Sequence, residues 1–165
     1  METIIKPIGN EYSEAAIDLI LSIQQKEFNV PITIEDQPDL MAIEAFYYQS
    51  GGSFWGAFRN GELVGTIALI KYADNEAAIR KMFVKKEYRG KELGIAQQLL
   101  DILLTYCREN GIDQVYLGTV SILEAALRFY EKNNFVRIEK ESLPDAFPVM
   151  QADNVFCHLN LNKQP

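Results

Sequence analysis

Apolar residues change their repeat along this chain, and each change marks a different kind of element. Residues 3–7 are β-prone and predict a short strand ended by Pro7 and Gly9. From Tyr12 onward Ile17, Ile20, Leu21, Gln24 and Phe28 recur at helical spacing, supported by Ala15 and Ala16, until Pro31 stops the helix. A second helix is predicted to begin after Thr33 or near Pro38. It would bury Leu40, Met41, Ile43, Ala45, Phe46 and Tyr47 and end at Gly51-Gly52. The pattern then shortens. Runs at 54–58 and 63–69 flank Asn60-Gly61, a strong hairpin signal, and a third run at 77–84 follows Asp74-Asn75-Glu76. These predict a three-stranded antiparallel meander. Leu93, Ala96, Leu100, Leu103, Leu104 and Cys107 form one stripe of a helix over 93–109, which Gly111 terminates. A buried strand at 115–117, a helix over 123–132 and strands at 135–138 and 155–161 complete the order, the last two joined through Pro144 and Pro148.

This order implies an α/β chain with a mixed, mostly antiparallel sheet flanked by helices. Its 165 residues suffice for a substantial core, and neither a repeat nor a linker divides them, so one domain over residues 1–165 is expected.

Charge adds a local feature. Arg80, Lys81, Lys85, Lys86, Arg89 and Lys91 lie close together against one acid, Glu87, in a chain whose net charge is −7. Residues 89–96 read as a glycine-bearing turn entering a helix, whose first amides lack internal partners and favour an anion such as phosphate. The turn is not a P-loop, because no Gly-Lys-Ser/Thr follows it, and not a dinucleotide fingerprint, because the G-x-G-x-x-G spacing is missing. A capped surface helix with lysines and arginines nearby is the plainer alternative. The acidic balance disfavours general nucleic-acid binding. No apolar run has the length of a membrane span. One histidine and two distant cysteines give no metal-ligand spacing and no disulfide framework. Two such cysteines, with no secretory signal, fit a reducing cytoplasm.

At Arg89-Gly90-Lys91-Glu92-Leu93-Gly94 the chain resembles the GCN5-related N-acetyltransferase (GNAT) superfamily. That family's coenzyme-A motif is Q/R-x-x-G-x-G/A, preceded by a strand, here Met82-Phe83-Val84, and followed by a long helix. The resemblance returns in Ala126-Leu127-Arg128-Phe129-Tyr130-Glu131-Lys132-Asn133-Asn134-Phe135, similar to the family's A-x-x-x-Y-E-K-x-G-F block. It is best over residues 77–138. Glu92 replaces a motif glycine, and Leu123 stands where the family often has an asparagine.

The resemblance implies an acyl-CoA N-acyltransferase fold with acetyl-CoA as co-substrate and transfer of acetyl to an amine by direct attack in a ternary complex. It implies that amides of Arg89, Gly90, Lys91, Glu92, Leu93, Gly94, Ile95 and Ala96 hold the pyrophosphate. The backbone of Met82, Phe83 and Val84 would pair with the pantetheine arm. Tyr130 would be the general acid toward sulfur; the alternative is an aromatic core residue. Lys85 and Lys86 are candidates for the 3′-phosphate, with ordinary solvated lysines as the alternative. Glu35, Asp36, Glu44 and Glu76 are candidate bases, and water is an alternative to all four. His158 reads as a strand residue. The acceptor is an amine on a small molecule or a protein, with no nucleic-acid or membrane partner expected. A homodimer is an expectation from the family. A noncatalytic acyl-CoA-binding module is the rival reading.

Overall fold

The Asn60-Gly61 turn adopts positive φ at both residues, 53° and 78°, the geometry whose twist matches paired strands. It joins β2 (Ser53–Arg59) to β3 (Glu62–Ala73), and a second tight turn joins β3 to β4 (Glu76–Val84). The computed structural model describes residues 2–150 and 153–163. With β1 (Ile4–Pro7), β5 (Gln114–Thr119), β6 (Val136–Ile138) and β7 (Val155–Asn160), these strands make one seven-stranded sheet of order β1-β2-β3-β4-β5-β7-β6. All neighbours are antiparallel except β4 and β5. That parallel pair requires a crossover, supplied by α2 (Ile95–Glu109). The mixed, mostly antiparallel sheet flanked by helices follows the sequence expectation.

Successive residues of β3 serve opposite faces. Ile67 and Leu69 pack with Leu99, Leu100, Leu103 and Cys107 of α2, together with Tyr130 of α3 (Glu124–Lys132). Ala68 instead joins a second cluster with Ile20 of α1 (Ser13–Leu21), Leu40, Ile43, Tyr47 and Phe54. Full burial of one such Leu, Ile or Phe stabilises by about 1.5–3 kcal/mol, so the sheet is clamped from both sides.

Two helical expectations change. The first helix is α-helical only through Leu21 and continues as a π-helical segment, Ser22–Glu27, before Asn29 takes positive φ. The second is not continuous. A 3-10 turn, Pro38–Met41, and a π-helical turn, Glu44–Tyr48, are separated at Ala42, whose φ and ψ are −146° and 57°. Leu40, Ile43 and Tyr47 are buried as predicted, but Met41, Ala45 and Phe46 are exposed. The break lets Asp39 turn inward, where it accepts the Tyr47 hydroxyl and pairs with buried Lys81 while Leu40 stays in the core. Helix α2 begins at Ile95, two residues later than expected, because Gly94 at its N-cap is left-handed (φ 61°).

Candidate active site

Strand β4 contains the structural irregularity on which the site depends. Its register against β3 shifts between Thr66↔Phe83 and Ala68↔Arg80, leaving one extra residue on β4. Lys81 lies in this bulge with φ 55°, and the Thr66 hydroxyl donates to the Lys81 carbonyl at 2.7 Å. Past the bulge β4 leaves β5: their last parallel pair is Ile79↔Leu117. From Arg80 to Val84 the β5-facing edge of β4 is therefore not used by β5, and a cavity of about 130 Å³ fills the opening. Met82 and Phe83 line one side, Gly118 and Thr119 of β5 another, and Tyr130 and Asp153 also reach it.

After β4 the chain enters α2 through Gly90 (φ 116°) and Gly94 (φ 61°). No heavy atom outside the neighbouring residues lies within 4 Å of where a Cβ on Gly90 would be, so the backbone is approachable there. Among the described residues, the amides of Lys91, Glu92, Leu93, Ile95 and Ala96 donate to no backbone carbonyl. Those of Arg89 and Gly94 are already used, by Lys86 and Gly90 respectively. Glu92 is exposed and does not line the cavity.

The basic cluster seen in the sequence is divided by the fold. Lys81 is buried, bonded to Gln37 and 3.6 Å from Asp39; burial lowers its ammonium to about 8 against the pull of Asp39. Lys85 pairs with Glu62. The Arg89 guanidinium is held in a fork by Glu27, with a 2.7 Å bond from Nη2, while its Nε donates to Val84. That fork in turn holds the Glu27 carboxyl below its ordinary range. Arg89 is thus a brace between the π-helical segment and the loop. Lys91 meets Lys132 instead, and this contact between like charges, hydrogen bond included, lowers the Lys132 ammonium.

Tyr130 is only 4% exposed, with its ring edge-on to Phe129 and Phe135 at 5.7 and 5.5 Å. Burial pushes its hydroxyl well above the usual range, so it remains protonated at neutral pH. Tyr130 packs in the core and also borders the cavity. Leu123, at the N-cap of α3, lines the same cavity.

Other candidates lie elsewhere. His158 stacks on Tyr116 at 4.3 Å, with Nε2 2.7 Å from Gln114 Oε1. Asp36 caps Thr33, and Glu44 accepts from the Asn10 amide. Neither these nor Glu35 and Glu76 line the cavity. Both cysteines are buried, and burial pushes the Cys107 thiol up to about 12. Polar residues that do line it, among them Gln24, Gln37, Arg80, Lys81, Thr119 and Asp153, are not legible as acceptor-side groups in the sequence. Two cations inside the otherwise apolar run 77–84 were the available signal for Arg80 and Lys81; Asp153 had none. Among the described residues no helix is long and apolar enough to cross a membrane.

Comparison with known proteins gives a consistent assignment. The family model described as acetyltransferase (GNAT) family matches residues 17–135. An acetyltransferase of the GNAT family from Staphylococcus aureus Mu50 has a TM-score of 0.93 and 44% identity, covering 96% of this chain and 99% of that one. The PaiA N-acetyltransferase from Thermoplasma acidophilum, solved in complex with coenzyme A, shares the fold at TM-score 0.76 and 21% identity, covering 97% and 99%. N-acetylaspartate synthetase from Danio rerio is 36% identical over 102 residues, which are 61% of this chain and 36% of that protein, so the chain spans well under half of that relative. With the family match running through the bulged strand, the glycine turn and the Tyr130 helix, this chain belongs to the GNAT acetyltransferase family.

Proposed function

We propose that this chain transfers an acetyl group from acetyl-CoA to an amine, the two bound together and the amine attacking directly. The observation that carries the reading is the opening of β4 from β5, with Tyr130 at its wall and free amides in the turn that follows β4. The residues present fit the cofactor. An unpaired strand edge can bond a chain of amides as an added strand would, which assigns the pantetheine arm to Met82, Phe83 and Val84. Amides of Lys91, Glu92, Leu93, Ile95 and Ala96 are free for a diphosphate, and Lys91 with Lys132 supplies cationic charge beside them. Gly90 and Gly94 contribute open backbone and turn geometry, and Arg89 holds the loop rather than the phosphate. A member of the same fold, PaiA from Thermoplasma acidophilum, is solved with coenzyme A, which supports this reading.

Tyr130 stays protonated and donates to sulfur as the C–S bond breaks. Much of the rate enhancement is assigned to holding nitrogen and thioester in contact. The experiment is calorimetry with coenzyme A, followed by thiol release from acetyl-CoA against an amine library. Tyr130→Phe is expected to lower kcat by about 10²-fold or more with coenzyme A affinity unchanged. Equal turnover by the variant removes the acid assignment. Saturable binding without thiol release for any amine makes the chain an acyl-CoA-binding module.

A further inference from the structure

An amine reaches its acetyl donor as an ammonium ion and must lose a proton before it can attack, yet none of the acids singled out in the sequence faces the cavity. Asp153, in the segment leading into β7, does face it. Its position depends on Gly118. A Cβ placed on that glycine would lie 2.4 Å from Asp153 Oδ2 and 2.9 Å from Cγ, so only a residue without a side chain leaves the carboxyl its seat. Gly118 follows Leu117, the last β5 residue paired with β4, so the carboxyl sits where the two strands part.

The charged groups facing Asp153 do not neutralise it. Arg80 and Lys81 approach from β4, but among the described residues neither makes an ion pair with it within 4.0 Å. Lys81 is committed to Gln37 and Asp39, and Arg80 Nη2 contacts Met150 Sδ. The local backbone at Met150 and both cations favour the carboxylate, but burial outweighs them and lifts the group to about 6. It is thus ionised at neutral pH and a better proton acceptor than an ordinary aspartate. Tyr130 borders the same cavity in its protonated form, so one base and one acid share the enclosure.

We propose that Asp153 receives the ammonium group of the acceptor and takes its proton, with Gly118 as the positioning residue that keeps the carboxylate at the strand opening. This rests on the acetyltransfer reading. The nitrogen loses two protons during the reaction. The first passes to Asp153 and then to solvent, freeing the lone pair that forms the C–N bond. As the C–S bond breaks, sulfur takes the Tyr130 proton, and the second nitrogen proton restores the phenol. The products are the amide and the free thiol.

The test compares Asp153→Asn and Gly118→Ala with the parent protein, using the most active amine from the library. The kcat–pH profile of the parent is expected to fall below about pH 6, where the Asp153 carboxyl becomes protonated. Asp153→Asn should lose that limb and lower kcat by about 10²-fold or more, while coenzyme A affinity is unchanged. Gly118→Ala should raise the amine KM and lower kcat, because the displaced carboxylate is still present but misplaced. An Asp153→Asn enzyme with parental kcat and the same acid limb overturns the proposal. If the parent binds coenzyme A but acetylates no amine, the transfer reading fails and Asp153 is judged by calorimetry with butylamine. Butylammonium binding by the parent and not by Asp153→Asn supports the ammonium seat; equal binding by both refutes it.

Discussion

Burial acts in opposite senses on the ionisable residues of the cavity. It keeps the proton on Tyr130 and raises the Asp153 carboxyl to about 6, while it lowers Lys81 to about 8. A carboxyl raised in the folded state above its ordinary 3.8 binds its proton more tightly folded than unfolded. Its ionisation therefore costs stability above about pH 6, and that cost fades as pH falls toward 3.8. Asp153→Asn is expected to have a higher Tm than the parent at pH 7.5, with the gain shrinking on acidification through this window. Thermal melts at several pH values check it, and a constant difference would mean the carboxyl is not raised. Such a gain in stability alongside lost turnover is the pattern expected when a functional group is held at a cost to the fold.

At the scale of elements, the bulge in β4 opens the sheet, and the Thr66 hydroxyl bonded to the Lys81 carbonyl holds it. Thr66 is fully buried, so Thr66→Val keeps the shape but leaves that carbonyl without its donor. The expected loss is about 1–3 kcal/mol, read by urea unfolding, with weaker coenzyme A binding as the opening relaxes. Unchanged affinity would show that the opening is held by other contacts. Legibility in the sequence followed how local the cause was. Asn60-Gly61 specifies its turn through its own backbone preference, and the α2 stripe through a repeat within one helix. The broken segment at 38–48 was not legible, because Asp39 turns inward for a lysine on a distant strand. Tyr130 was legible because its block resembles a family motif. Asp153 was hidden, since it lies in irregular chain and acquires its position only beside Gly118. The basic cluster was misleading for the same reason: sequence proximity cannot reveal that Lys85 and Arg89 are engaged by Glu62 and Glu27.

For the molecule as a whole, strand order has a consequence for how the protein is made. Strand β7 lies between β5 and β6, although it is the last of the seven to be synthesised. Until residues 155–160 emerge, β5 has one unpaired border and β6 has no neighbour in the sheet. A nascent chain stopped before Val155 would display a sticky apolar ribbon, with Val115 and Leu117 stripped of their opposite numbers Leu159 and Cys157. Truncation at residue 154 is accordingly expected to yield aggregates in a sedimentation assay; a dispersed, cooperatively melting product would show that the sheet stands without its closing strand. Translation must deliver the closing strand before β5 is paired on both borders, so the sheet that carries the opening is finished only when its last strand arrives.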